Sequence, residues 1–192
     1  MPDTISPSPS HSVLSASDWV RRWSHLVPPS ASVLDVACGT GRHMQWFAGR
    51  GHTAIGVDRS PEAEEAARQF GEVLRADVEN GPWPLAGRRF DAVVVTNYLW
   101  RPLFPHLLDS VAPGGVLIYE TFAIGNESVG RPARPEFLLQ PGELLTLCSG
   151  LRVIAYEDGF LPEPARFVQR IVARRETSPS TEVFQAQLCA PV

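Results

Sequence analysis

Val33-Leu34-Asp35-Val36-Ala37-Cys38-Gly39-Thr40-Gly41 is the stretch whose reading decides the fold. A short apolar strand ends at an acidic residue, turns at once through Gly-x-Gly, and leads into a helix expected from Arg42. Backbone approaches a ligand closely where side chains are absent, and the free N–H groups of a first helical turn point at whatever the loop holds. The pattern predicts a nucleotide site. A dinucleotide fingerprint needs Gly-x-Gly-x-x-Gly, but Met44 stands at the third glycine position. Asp35 also places negative charge where a pyrophosphate would be repelled. A phosphate-free ligand with a cationic end fits better, and S-adenosylmethionine (SAM) has an ammonium, a sulfonium, a ribose diol and an adenine. Asp35 is placed to hold the ammonium side, directly or through water.

Ala54-Ile55-Gly56-Val57-Asp58 reads as a second strand, with Asp58 at its end 19 residues beyond Gly39. A carboxylate there can accept both ribose hydroxyls. Ser60 then caps a helix whose first residue is Pro61, and Glu62, Glu64 and Glu65 suit the positive end of its dipole. The order of strand, turn and helix is thus met twice.

On these residues the chain resembles the class I SAM-dependent methyltransferases. Arg75-Ala76-Asp77-Val78 is similar to that family's third-strand segment, whose acidic residue faces the adenine amine. Phe90-Asp91-Ala92-Val93-Val94-Val95-Thr96-Asn97 is similar to its fourth strand, and Val111-Ala112-Pro113-Gly114-Gly115-Val116-Leu117 to the turn into its fifth. The resemblance spans about Ser17 to Arg175. Asp35 to His43 and the glycine-rich turn resemble the small bacterial members labelled tellurite-resistance-like or thiopurine-like, which implies a small soluble substrate. The family implies an α/β, Rossmann-like three-layer sandwich, with a mostly parallel seven-stranded sheet and an antiparallel C-terminal hairpin. It also implies cofactor contacts from Asp35, Ala37, Cys38, Gly39, Thr40, Gly41, His43, Asp58, Arg59, Asp77, Val78 and Asn97.

At 192 residues and 44% hydrophobic content the chain suits one domain with a full core. The division expected is a disordered tail over 1–16, a methyltransferase domain over 17–175, and a C-terminal tail over 176–192. In that last tail Val183, Phe184 and Leu188 could dock on the body. A net charge of −4 gives no global footprint for a polyanion, so nucleic acid is not the expected partner. Three cysteines, Cys38, Cys148 and Cys189, are too few and scattered for a disulfide framework or zinc site and imply a reducing compartment. Cys38 reads as a small side chain near the ligand rather than a nucleophile. The five histidines show no metal-ligand spacing, so no metal is expected. Neither a signal peptide nor ~18 consecutive apolar residues is found, and a cytoplasmic protein without membrane contact is the expectation. A monomer or homodimer is expected.

Ser17 to Leu26 reads as a first helix, with Trp19, Trp23 and Leu26 on one stripe that packs on the sheet edge. Strands are expected near 32–36, 54–58, 72–76, 90–96 and 115–122. Helices are expected over 41–50 and 61–70, over 101–111 with an interruption at Pro105, and over 135–150 with a break near Pro141-Gly142. Alternation of this kind argues for a parallel sheet with its ligand at the carboxyl ends of the strands. Leu151 to Glu157 and Arg166 to Ala173 are β-branched enough for strands, which the family resemblance pairs as the terminal hairpin.

Methyl transfer needs in-line approach to an activated carbon, and a base only when the acceptor must lose a proton. Tyr98 and Arg101 follow the fourth strand, where the superfamily places residues that face the acceptor. Glu120 ends the fifth strand on the ligand side as a candidate base or cation anchor, or else as a salt bridge to Arg101 or a loop arginine. Ala123 to Arg134 holds two glycines and two arginines and reads as an active-site lid rather than a surface connection. His43 either touches the methionine end of the cofactor or caps surface structure, and Trp83 either covers the adenine or is a hydrophobic plug. Three functions fit: methyl transfer from SAM to a small molecule, methyl transfer to protein or RNA, and SAM binding by a regulatory subunit without transfer.

Overall fold

The computed structural model describes residues 15–177 and 185–188. Of the tail expected over 1–16, residues 1–14 lie outside the described residues, as does the docking of Val183 and Phe184. Seven strands form one sheet: β1 Ser32–Val36, β2 Thr53–Asp58, β3 Gly71–Arg75, β4 Phe90–Thr96, β5 Val111–Phe122, β6 Arg152–Pro162 and β7 Ala165–Arg174. Their spatial order is β3-β2-β1-β4-β5-β7-β6. The first five are parallel, and β7 lies antiparallel between β5 and β6. This is the mostly parallel, Rossmann-like sheet with an antiparallel hairpin that the sequence predicts.

Central strands of such a sheet are covered on both faces and are therefore apolar at successive positions. Ala92, Val93, Val94 and Val95 on β4 are all fully buried. Val33, Ala92, Val94, Ile118 and Val172 project to one face, where Trp19, Val20 and Trp23 of α1 (Asp18–Trp23) and Phe47 of α2 (Arg42–Ala48) cover them. Leu34, Val93, Val95, Leu117 and Tyr119 project to the other, beneath Phe104 and Leu107 of α4 (Phe104–Asp109) and Leu144 of α5 (Glu143–Leu147). The two covered faces make the three layers. Between α1 and α4 in sequence, α3 (Pro61–Ala67) starts as expected, with Ser60 Oγ accepting the Ala63 N–H.

Some expectations change. The first helix packs over the face of the sheet rather than its edge, because two tryptophans need a wide apolar floor; Trp19 Nε1 reaches the Ile171 carbonyl at 3.4 Å. Pro105 does not interrupt a helix. It stands in the first turn of α4, where a missing N–H costs nothing. The segment 135–150 is two pieces, a 3₁₀ turn at Pro135–Phe137 and α5, with Leu139 between them in a bridge to Ala123. Leu188 is 62% exposed, so it does not dock as an apolar anchor.

Candidate cofactor site at the carboxyl edge of the sheet

The loop after β1 turns because Ala37, Gly39 and Gly41 take positive φ of 55°, 52° and 81°. The two glycines answer different needs. A Cβ on Gly41 would lie 2.8 Å from the Ala67 Cβ, so α3 packs against bare backbone there, whereas a Cβ on Gly39 would meet nothing within 4 Å. The space beside Gly39 is open. Gly56, which no motif marks, sits where a Cβ would come 2.6 Å from Met44 Sδ and 2.7 Å from Cys38 Sγ. Asp58 ties this loop to β2: Gly39 N–H donates to Oδ2 at 2.9 Å and Ser60 N–H to Oδ1 at 2.9 Å.

A cavity of about 350 Å³ opens at this edge. Of the residues singled out from sequence, Ala37, Asp58, Arg59, Asp77, Val78 and Asn97 line it, together with Tyr98. Asn97, like Ala37, takes a positive φ, 56°. Asp77 is exposed and shaped by its own turn: it accepts N–H bonds from Glu79 at 3.0 Å and Asn80 at 3.2 Å, and from the Asn80 amide at 3.0 Å. The Asn80 side chain, then those backbone donors, hold its carboxyl below the usual range. The Tyr98 hydroxyl donates to Glu79 Oε1 at 3.2 Å. Burial, then the Glu79 carboxylate, push the phenol well up, so Tyr98 is an O–H donor and not a base. Thr121 and Phe122 at the end of β5 and Pro132 in the expected lid also line the cavity, as do Glu79, Leu99 and Phe137, which sequence reasoning did not single out. Of these last three only Phe137 offered a signal, as an apolar position just beyond the arginine-bearing loop.

Behind the loop, Asp35 is 2% exposed and its Oδ2 has no hydrogen-bond partner; His43 Nδ1 lies 3.7 Å away. His43 Nε2 accepts the Ser17 N–H at 3.3 Å, which puts the ring proton on Nδ1, toward Asp35. His43 therefore joins α1 to the loop rather than lining the cavity. Cys38, Gly39, Thr40 and Gly41 form the turn itself. Burial, then Asp35 and Asp58, raise the Cys38 thiol, which stays protonated and is no nucleophile.

Two residues expected to face the acceptor stand elsewhere. Glu120 is 1% exposed and projects to the opposite sheet face from Thr121, which lines the cavity. Its Oε2 lies 3.3 Å from Arg170, the cross-strand neighbour on β7, and its Oε1 has no partner. The ion pair anticipated for Glu120 therefore forms with a hairpin residue. Arg101 turns away from the cavity to Glu143, donating from Nε at 2.6 Å and Nη2 at 2.9 Å, and to the carbonyls of Glu136 and Leu138 at 2.8 and 2.9 Å. Trp83 stacks on His106 with centroids 6.1 Å apart and borders a neighbouring cavity of about 190 Å³ that shares Val78 and Glu79 with the first. In the expected lid, Asn126 is buried; it donates to the Pro132 carbonyl at 3.0 Å and accepts the Phe167 N–H at 3.2 Å. Arg131 and Arg134 do not line the cavity, and Arg134 pairs with Glu136. No cluster of His, Cys, Asp and Glu among the described residues could hold a metal. No described helix is long and apolar enough to cross a membrane.

Residues 33–115 match a family model described as a methyltransferase domain. The chain is 32% identical over 133 residues to tRNA U34 carboxymethyltransferase of Klebsiella pneumoniae, covering 58% of this chain and 38% of that one. It is 29% identical over 146 residues to thiopurine S-methyltransferase of Pseudomonas fluorescens, covering 75% of this chain and 64% of the relative. It thus spans well under half of the first relative and just under two thirds of the second. The tRNA-named relative removes the support for setting nucleic acid aside. The crystal structure of TehB from Haemophilus influenzae superposes with a TM-score of 0.68 at 16% identity, over 83% of this chain and 62% of that one, and shares its fold. Glycine loop, paired acidic strand ends, strand order and family match agree: residues 33–115 carry a methyltransferase domain, set in a chain that has the fold of, and is similar to, the class I SAM-dependent methyltransferases.

Proposed function

We propose that this chain transfers the methyl group of SAM to a small-molecule acceptor. The observation that carries the reading is Asp58 at the cavity wall, tied by one oxygen to the loop of Gly39, beside which space is open. Each Asp58 oxygen accepts one backbone N–H and keeps a second lone pair for a ribose hydroxyl. Asp77 and Val78 border the adenine end, Ala37 and Asn97 line the cavity at the strand ends, and Asp35, buried behind the loop beside His43, adds negative charge at the end that takes the cationic part of SAM. SAM, when bound, supplies a methyl carbon activated by a sulfonium.

The remaining work is positioning, which can contribute about 7 to 11 kcal/mol to rate. Tyr98 donates a hydrogen bond within the cavity, and Phe122, Pro132 and Phe137 offer an apolar wall to the acceptor. The segment 121–134, from which Thr121, Phe122 and Pro132 line the cavity, covers the acceptor side. A likeness to a thiopurine enzyme that extends over 75% of this chain supports a small acceptor. Transfer to tRNA is the second reading, favoured by the Klebsiella relative. Calorimetry tests the cofactor: SAM and S-adenosylhomocysteine bind and NAD does not, whereas tight NAD binding without SAM binding overturns the reading. A panel of thiol, amine, hydroxyl and tRNA acceptors then separates the two substrate classes.

A further inference from the structure

The outer wall of the cavity is held by an arginine that never touches it. Phe137 is the wall's only large apolar residue left substantially exposed, at 37%, while its neighbours Leu138 and Leu139 are buried in the core. Its place is fixed from two sides. Arg101, four residues beyond Asn97, makes a two-pronged bond to Glu143 and donates to the carbonyls of Glu136 and Leu138, the residues flanking Phe137. Glu143 Oε2 also accepts the Gln140 N–H at 2.8 Å. From the other side Gln169 on β7, fully buried, donates to the Gln140 carbonyl and accepts the Leu144 N–H at 3.2 Å. Bidentate guanidinium–carboxylate pairs fix direction as well as distance, which a lysine cannot do.

We infer that Arg101 is a positioning residue: its clamp on Glu136, Leu138 and Glu143 holds Phe137 as the apolar wall that encloses the ligand in the cavity. The clamp, rather than the glycines of the preceding loop, then sets how readily bound ligand escapes. Arg101 lies two residues beyond Leu99, and Asn97, Tyr98 and Leu99 line the cavity just after β4, so one short segment carries both part of the lining and the clamp. The ligand side of this inference rests on the methyltransferase reading.

The test uses the full chain, with S-adenosylhomocysteine as probe. Hydrogen exchange of the Phe137, Leu138 and Gln140 amides should speed up about tenfold in Arg101→Ala, and Arg101→Lys should not restore protection, a tenfold change being about 1.4 kcal/mol. Stopped-flow dissociation of the probe should quicken by about tenfold in both variants. Phe137→Ala, which leaves the clamp intact, should quicken dissociation without changing exchange at Gln140. A merely structural role would loosen the amides and leave dissociation unchanged, which overturns the inference, as do unchanged amides in Arg101→Ala. Failure of the unaltered protein to bind the probe counts against the methyltransferase reading, and amide exchange still decides the clamp. If Arg101→Ala does not fold, Glu143→Gln, which keeps one acceptor oxygen, takes its place with the same outcomes.

Discussion

Replacing Asp58 separates its two tasks. Its carboxylate accepts the Gly39 and Ser60 N–H groups, both at 2.9 Å, and lines the cavity. Asp58→Ala removes charged acceptors for the ribose diol, a loss of about 1.5 to 3 kcal/mol, or roughly 10 to 150-fold in SAM affinity. Asp58→Asn is the sharper variant. One side-chain oxygen must now serve where two served before, and the new NH₂ group faces a backbone N–H, so donor meets donor at Gly39 or Ser60. Asn is therefore expected to weaken SAM by at least tenfold as well, despite its near-identical shape, by about 1.4 kcal/mol or more. Calorimetric titration of both variants reads the loss, with thermal melts to confirm folding. A dissociation constant unchanged in Asp58→Ala refutes the reasoning, since the ribose would then lie elsewhere.

Gly41→Ala should destabilise the fold by about 2 to 3 kcal/mol, because a positive φ and a 2.8 Å approach to Ala67 act together, and urea unfolding measures it. Gly39→Ala meets no neighbour and should cost stability only about 1 to 2 kcal/mol while weakening SAM; equal losses in both variants would contradict the division of roles. Iodoacetamide at pH 8 should label Cys38 far more slowly than a free cysteine, since burial keeps the thiol protonated, as mass spectrometry of its peptide will show. Burial alone would raise Glu143, but its bonds to Arg101 and the Gln140 N–H outweigh that and hold the carboxyl below the usual glutamate range. Its contribution to stability is thus complete above about pH 4.5 and is lost as pH falls through the lower folded value. Glu143→Gln should flatten the acid limb of the stability profile, and an unaltered limb would count against the pair.

What the sequence shows clearly is local. The β1 turn, the Ser60 cap, Asp58 and the strands follow from neighbours a few residues apart, through periodicity and the demands of tight turns. Pairings across the sheet are another matter. Arg101 meets Glu143 across 42 positions and Arg170 meets Glu120 across 50, and both depend on the order β4-β5-β7-β6. Periodicity sorts side chains to faces but does not say which strand lies beside which. Glu120 therefore stands at the expected strand end but on the face away from the cavity, and Arg101, expected at the ligand, finds its partners in α5 and in the 3₁₀ turn before it. Trp19 and Trp23 show the same limit, since a helical stripe states that something is covered without saying whether it is an edge or a face.

The central claim is methyl transfer to a small acceptor, and the most direct measurement follows the label. Methyl-tritiated SAM is incubated with the purified chain and a cell extract separated by size. Label should enter the low-molecular-weight fraction, depend on the chain, and fall at least tenfold with Asp58→Ala, about 1.4 kcal/mol or more. Label confined to RNA or protein would contradict a small-molecule acceptor, and no transfer to any fraction, with SAM still bound, would contradict the account as a whole.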